Sequence, residues 1–174
     1  MAPGGAAFVP QPKPEDPNGL LPDRTLVLWP YTDMSDPRHV WGKEFLIVRS
    51  QDAPHPTKIG FGAPDGWAAY ANHNHLFVKR FAYDGAARYP DHGASVEVYT
   101  ATGMLEMETL GPLQTLPPGA SVEHVEEWYL LDGPAVTDEN SARDAAKIIS
   151  RQTKPLSLIY PPIYAVHPGR VSSP

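Results

Sequence analysis

Proline sets the first limit on this chain. Its 174 residues include 21 prolines. Each one fixes φ, removes a backbone donor and is excluded from helix interiors and central strands. They cluster from Pro10 to Pro22, at Pro54 and Pro56, at Pro117-Pro118, and from Pro155 onward. Short apolar runs lie between the clusters. This punctuation predicts an all-β chain, an antiparallel sandwich or barrel with many turns.

The length suits one domain with a proper core. Hydrophobic residues make up 41%, which argues for a globular protein. The formal net charge of −6 repels phosphate backbones and offers no basic patch, so neither nucleic acid nor an anionic membrane surface is an expected partner. The chain has no cysteine, which excludes disulfides, thiolate zinc sites and a cysteine nucleophile. No apolar run reaches the ~18–20 residues of a spanning helix. Met1 to Gly5 reads as no signal peptide, so the cytoplasm is the default expectation.

Along the chain, residues 1–23 read as a proline-rich arm, in which Phe8 and Val9 are apolar enough to pack against a sheet or a second subunit. Residues 24–135 read as the β-sandwich domain. Strands are expected at Thr25–Trp29, Glu44–Arg49, Lys58–Gly62, Leu76–Ala82, Ser95–Thr100, Leu105–Leu110 and Ser121–Leu131, the last being the longest. Asn72-His73-Asn74-His75 reads as a hairpin. Residues 136–174 read as a helix, Ala142 to Ser150 behind N-cap candidates Asp138 to Ser141, followed by an extended tail. In that tail Leu156 to Tyr160 reads as an edge strand.

Residues i and i+2 of a strand share a face. The rule groups Glu97 with Tyr99, Glu106 with Glu108, and His75 with Phe77, Lys79 and Phe81. If these strands adjoin, Glu97, Glu106, Glu108 and Lys79 line one shallow polar groove. Carboxylates and amines that bind hydroxyls, with aromatic floors such as Trp67, suit a sugar ligand. Lys58 is a second cation able to pair with these carboxylates. His73 and His75, two apart, pose a different chemistry. With His124, or alternatively Glu97, they form a candidate divalent-metal triad of cupin-like type. His124, beside Glu126 and Glu127, is also a candidate general acid.

Several motifs, in order, resemble an uncharacterised family of the galactose mutarotase-like (aldose 1-epimerase-like) superfamily. They are Leu21-Pro22-Asp23-Arg24, Leu28-Trp29-Pro30-Tyr31, Asp36-Pro37-Arg38, Phe77-Val78-Lys79-Arg80-Phe81, Tyr89-Pro90-Asp91, Glu97-Val98-Tyr99-Thr100 and Leu105-Glu106-Met107-Glu108, ahead of Pro118-Gly119. The resemblance covers residues 1 to about 131 and corresponds to the C-terminal half of such proteins. It implies half of a large jelly-roll-like supersandwich with a sugar-sized groove. It also implies Glu106 as the base, with Glu108 as alternative. The half that carries the family's histidines has no counterpart here, so His124 is the stand-in acid, and Lys79, Glu97, Tyr99, Trp67 and Lys58 are the expected ligand-orienting residues. A half sandwich leaves an edge to cover, which makes a homodimer the expected assembly. The leading expectation is a carbohydrate-binding β-sandwich, with or without epimerase-like chemistry. The alternatives are the metalloenzyme and a non-catalytic interaction domain.

Overall fold

A computed structural model describes residues 1–157. It shows two antiparallel sheets and one C-terminal helix. The ten strands are β1 (Ala6–Pro10), β2 (Leu26–Leu28), β3 (His39–Trp41), β4 (Phe45–Arg49), β5 (Thr57–Phe61), β6 (Trp67–Asn72), β7 (His75–Phe81), β8 (Val96–Ala101), β9 (Met104–Thr109) and β10 (Glu126–Asp132), followed by α1 (Glu139–Gln152). One sheet has six strands in the order β10-β7-β6-β1-β4-β3, the other four in the order β2-β5-β8-β9. The expected all-β sandwich is therefore the observed fold.

The six-stranded sheet is the middle of three layers. Ala7, Val9, Leu46, Val48, Ala68, Tyr70 and Phe81 pack on Ile59, Phe61, Val96, Val98, Leu105 and Met107 of the smaller sheet. Its other face, with Ala6, Phe8, Phe45, Ile47, Trp67, Ala69, Leu76 and Val78, is buried under Ala142, Ala145 and Ile149 of α1. Strands buried on both faces read as continuous apolar runs rather than alternating ones. All five β1 residues are buried for this reason. The helix contacts at 142, 145 and 149 follow the 3.6-residue period. Asp138 caps the helix, its side chain accepting from the Ser141 amide at 2.8 Å.

Four local expectations change. The arm is not separate from the sandwich, because β1 is a central strand between β4 and β6 and the domain reaches back to residue 6. The ladder from Ser50 to Gly5 and from Gln11 to Glu44 shows that the odd positions bond to β4. Pro10 therefore aims its missing donor at the β6 side, just past Phe8, where that ladder stops. Second, Ser121 to Val125 are not strand, so β10 begins at Glu126. Third, His39 to Trp41 form an edge strand. Fourth, Leu156 and Ser157 are not strand, and the rest of the expected edge strand lies outside the described residues. Among the described residues, no helix is long and apolar enough to cross a membrane.

Candidate functional site

Strand parity divides the predicted residues between three surfaces. On β8 and β9, Val96, Val98, Leu105 and Met107 point into the core, so Glu97, Tyr99, Glu106 and Glu108 point out of the four-stranded sheet. On β5, Ile59 points in and Lys58 out. Glu97, Tyr99, Glu106, Glu108 and Lys58 thus share one face, as alternation required. Lys79 does not join them. It lies on the inner face of the six-stranded sheet, between Phe77 and Phe81, where β7 pairs with β10. Lys58 takes its place.

The Lys58 ammonium lies 2.6 Å from Glu97 Oε2 and 3.1 Å from Glu108 Oε2. It also sits 4.9 Å from the centroid of the Trp29 ring. Trp29 belongs to the segment after β2 that folds over this face, pinned where the Thr32 hydroxyl donates to Lys58 O at 2.5 Å. Gly60 makes room for the indole. A Cβ there would meet Trp29 at 3.3 Å and Ala94 Cβ at 3.0 Å. Tyr31 is exposed at the rim and Tyr99 is half-buried. Burial pushes the Tyr31 phenol up, and its neighbours Lys58, Tyr99, Glu108 and Glu97 all act on it.

Glu97 is the unusual member. It is 2% exposed, and its Oε1 is buried with no hydrogen-bond donor. Native buried polar groups are nearly always paired, so an exception calls for an explanation. Burial holds the Glu97 carboxyl above the ordinary carboxylate range. Lys58 draws it down and the neighbouring Asp91 carboxyl pushes it up. Burial alone would lower the Lys58 ammonium, but its bonds to Glu97 and Glu108 outweigh that and hold it above its ordinary value. Both partners move upward for different reasons. Lys58 gains a second carboxylate, whereas Glu97 loses water on one oxygen without replacing it.

A second cluster lies on the overhang formed by β7 and β10. Lys79 pairs with Glu126 Oε1 at 3.2 Å and sits 5.4 Å from the Trp128 ring centroid. Glu126 also accepts from the Thr109 hydroxyl and from Trp128 Nε1 at 2.6 Å. His124 Nε2 meets Thr109 Oγ1 at 2.8 Å, and its ring tilts against Phe81. Desolvation there pulls the His124 imidazole below its ordinary value. Phe77 packs edge-on to Trp128, at 5.5 Å between centroids.

The remaining expectations separate. Glu106 is exposed on the outer face beside Tyr99, while His124 lies with inward-facing Thr109, so base and acid candidates stand on opposite sides of β9. Trp67 floors no groove. It is 6% exposed in the helix-side core, 5.7 Å from Phe8, with the Arg80 guanidinium 5.9 Å from its ring centroid. His73 and His75 do not share a strand face. His73 and Asn74 form a two-residue turn with φ of 48° and 61°, the hairpin geometry that places both central residues in the left-handed region. His75 instead pairs with Asp132 at 3.2 Å on the exposed edge. Among the described residues, no three His, Asp or Glu side chains are grouped to hold a metal ion.

Strand alternation does not mark Asp91, Thr109, Glu126 or Trp128 as site residues. Trp29 and Tyr31 stand out in the sequence only as a strand end and as part of a resembling motif, since alternation does not show which loop folds back over a sheet. Two clefts, of about 130 Å³ beside Arg49 and His73 and about 180 Å³ beside Trp41 and Phe61, lie away from both clusters. On the outer face, Tyr31 and Glu106 are exposed and Tyr99 and Glu108 are half-buried. No family model, no curated protein and no solved structure matches this chain.

Proposed function

We propose that the outer face of the four-stranded sheet binds carbohydrate. The supporting observation is Lys58 held between Glu97 and Glu108 against the Trp29 ring, with Glu97 Oε1 left without a donor. Such a platform supplies acceptors and a fixed ammonium for hydroxyls, and Tyr31 and Tyr99 supply rings for the apolar side of a pyranose. The motif resemblance to the mutarotase-like superfamily points to the same ligand class. Binding is proposed ahead of turnover, because Glu106 and His124 lie on opposite sides of β9 and Glu108 is engaged by Lys58.

Titration of neutral, amino and acidic monosaccharides into the ¹⁵N-labelled protein tests this. Shifts should gather on residues 29–32, 58–60, 97–99 and 106–108 and fade in Tyr31→Ala and Glu108→Gln. Silence across the whole panel removes the proposal. A homodimer is the accompanying expectation, favoured by Trp128 and Leu130, which are 64% and 71% exposed on β10. Sedimentation that shows a monomer at high concentration would dismiss it.

A further inference from the structure

Strand register sets the polar side chains of the outer face in two rows. One runs from Gly60 through Glu97 to Glu108, the other from Lys58 through Tyr99 to Glu106. Three carboxylates therefore share one ammonium. Lys58 divides itself between two of them, at 2.6 Å from Glu97 Oε2 and at 3.1 and 3.4 Å from the two oxygens of Glu108. Glu97 Oε1 is left buried without a donor, on a residue only 2% exposed. The Glu106 side chain, exposed at the end of its row, has neither an ion pair nor a hydrogen bond among the described residues. The face is thus short of positive charge, and short of a donor at a buried oxygen that native structures rarely leave open. Among the described residues these carboxylates are not gathered closely enough to hold a metal ion. An ammonium needs less: one or two carboxylates hold it by charge-assisted hydrogen bonds, and its stem lies on an aromatic ring.

We propose that the ligand of this face is cationic: an amino sugar whose ring lies along Tyr99 and whose ammonium sits between Glu106 and Glu108. This names the substrate class of the carbohydrate site read above and rests on that reading. Glu106 and Glu108 are two apart on β9 and point out of the same face, roughly 7 Å apart along the strand, so one cation fits between their carboxylates. Filling that position changes what Lys58 can do. Once the ligand ammonium neutralises Glu108, Lys58 is free to give two donors to Glu97, one to Oε2 and one to the orphaned Oε1. The ligand thereby completes the network that the free protein leaves open. A neutral sugar brings no charge to release Lys58, and an acidic one adds a fourth carboxylate to a face with one cation.

Glucosamine, N-acetylglucosamine, methyl glucoside and glucuronate, titrated into the labelled protein at about pH 6, test this with the amine protonated. Glucosamine should bind roughly tenfold more tightly than the two neutral sugars, with glucuronate weakest. Glu106→Gln, at an exposed position, should erase that advantage. The Glu97 carboxyl ¹³C signal should move as glucosamine binds, reporting the second donor from Lys58. A still Glu97 signal beside tight glucosamine binding overturns the release of Lys58. If the neutral sugars bind as tightly as glucosamine, or its advantage survives Glu106→Gln, the cationic site is overturned while the carbohydrate reading stands. Cyclohexylamine, a protonated amine on an apolar ring, separates the opposite case. If it shifts residues 106–108 in the wild type but not in Glu106→Gln, and no sugar binds, the cationic site stands and the carbohydrate reading fails. Silence from every ligand removes both.

Discussion

The two faces of this protein carry nearly the same trio. On the outer sheet, Lys58 sits over Trp29 and pairs with Glu97; on the overhang, Lys79 sits over Trp128 and pairs with Glu126. Ammonium-to-ring distances are 4.9 and 5.4 Å, and ion-pair distances 2.6 and 3.2 Å. The trios differ in what surrounds the carboxylate. Burial would raise Glu126 too, yet donors from Thr109, Trp128 and Lys79 hold it below its ordinary range. Glu97 lacks such donors on Oε1 and stays above it. A completed hydrogen-bond network is what a structural ion pair looks like, and an incomplete one is where a proton or ligand has work to do. Residue type alone does not separate the two cases.

The contrast is best broken at the cations. Lys58→Ala leaves Glu97 buried without its partner and should cost about 3–5 kcal/mol, the usual penalty for orphaning a buried charge. Lys79→Ala leaves Glu126 its two other donors and should cost only about 1 kcal/mol. Urea denaturation of both variants measures the difference, and equal losses would erase the distinction. Gly60→Ala comes next, because its Cβ would push on Trp29 and Ala94 and should cost about 1–3 kcal/mol. It should also weaken sugar binding; urea denaturation reads the first effect and the sugar titration the second.

Stability against pH sharpens the comparison further. Glu97 titrates higher in the folded chain than its ordinary 4.5, so the folded state holds the extra proton. Its effect lowers stability as pH rises from 4.5 through the folded midpoint. Glu126 titrates below 4.5, so its contribution is present above that value and is lost as pH falls through the folded midpoint. Glu97→Gln and Glu126→Gln should remove slopes of opposite sign. Each is on the order of 1 kcal/mol at most after solvent screening, readable from urea midpoints across the acidic range. The smallest effect is expected from Trp128→Ala. With 64% of the residue exposed, stability should change by less than about 1 kcal/mol and sugar affinity not at all. A lost sugar signal in that variant would move the ligand to the overhang.

Much of the fold was readable because one sheet alternates cleanly. Val96, Val98, Leu105 and Met107 against Glu97, Tyr99, Glu106 and Glu108 placed the polar face correctly within each strand. Pairing between distant strands was not readable. Nothing local distinguishes Lys58 from Lys79 as the partner of Glu97, because β5 and β7 both offer a lysine at the right parity. The middle sheet hid its own strand. Ala6 to Val9 is apolar at every position, which carries no period, and the prolines on either side outweighed it. His73 and His75 misled because spacing by two implies a shared face only within a strand, and a positive-φ turn lies between them.

The placement of β1 has a consequence for synthesis. In the finished sheet β1 is flanked by β4 and β6, so it cannot complete its pairing until residue 71 has been added. At ordinary elongation rates that wait is roughly 3–12 s, during which an apolar, uncharged run has both edges open. Such a run is an aggregation hazard, and proline is a known guard against it. Pro3, Pro10, Pro12 and Pro14 bracket Ala6 to Val9. Prolines so placed oppose pairing with a neighbouring chain before the strand's own partners emerge.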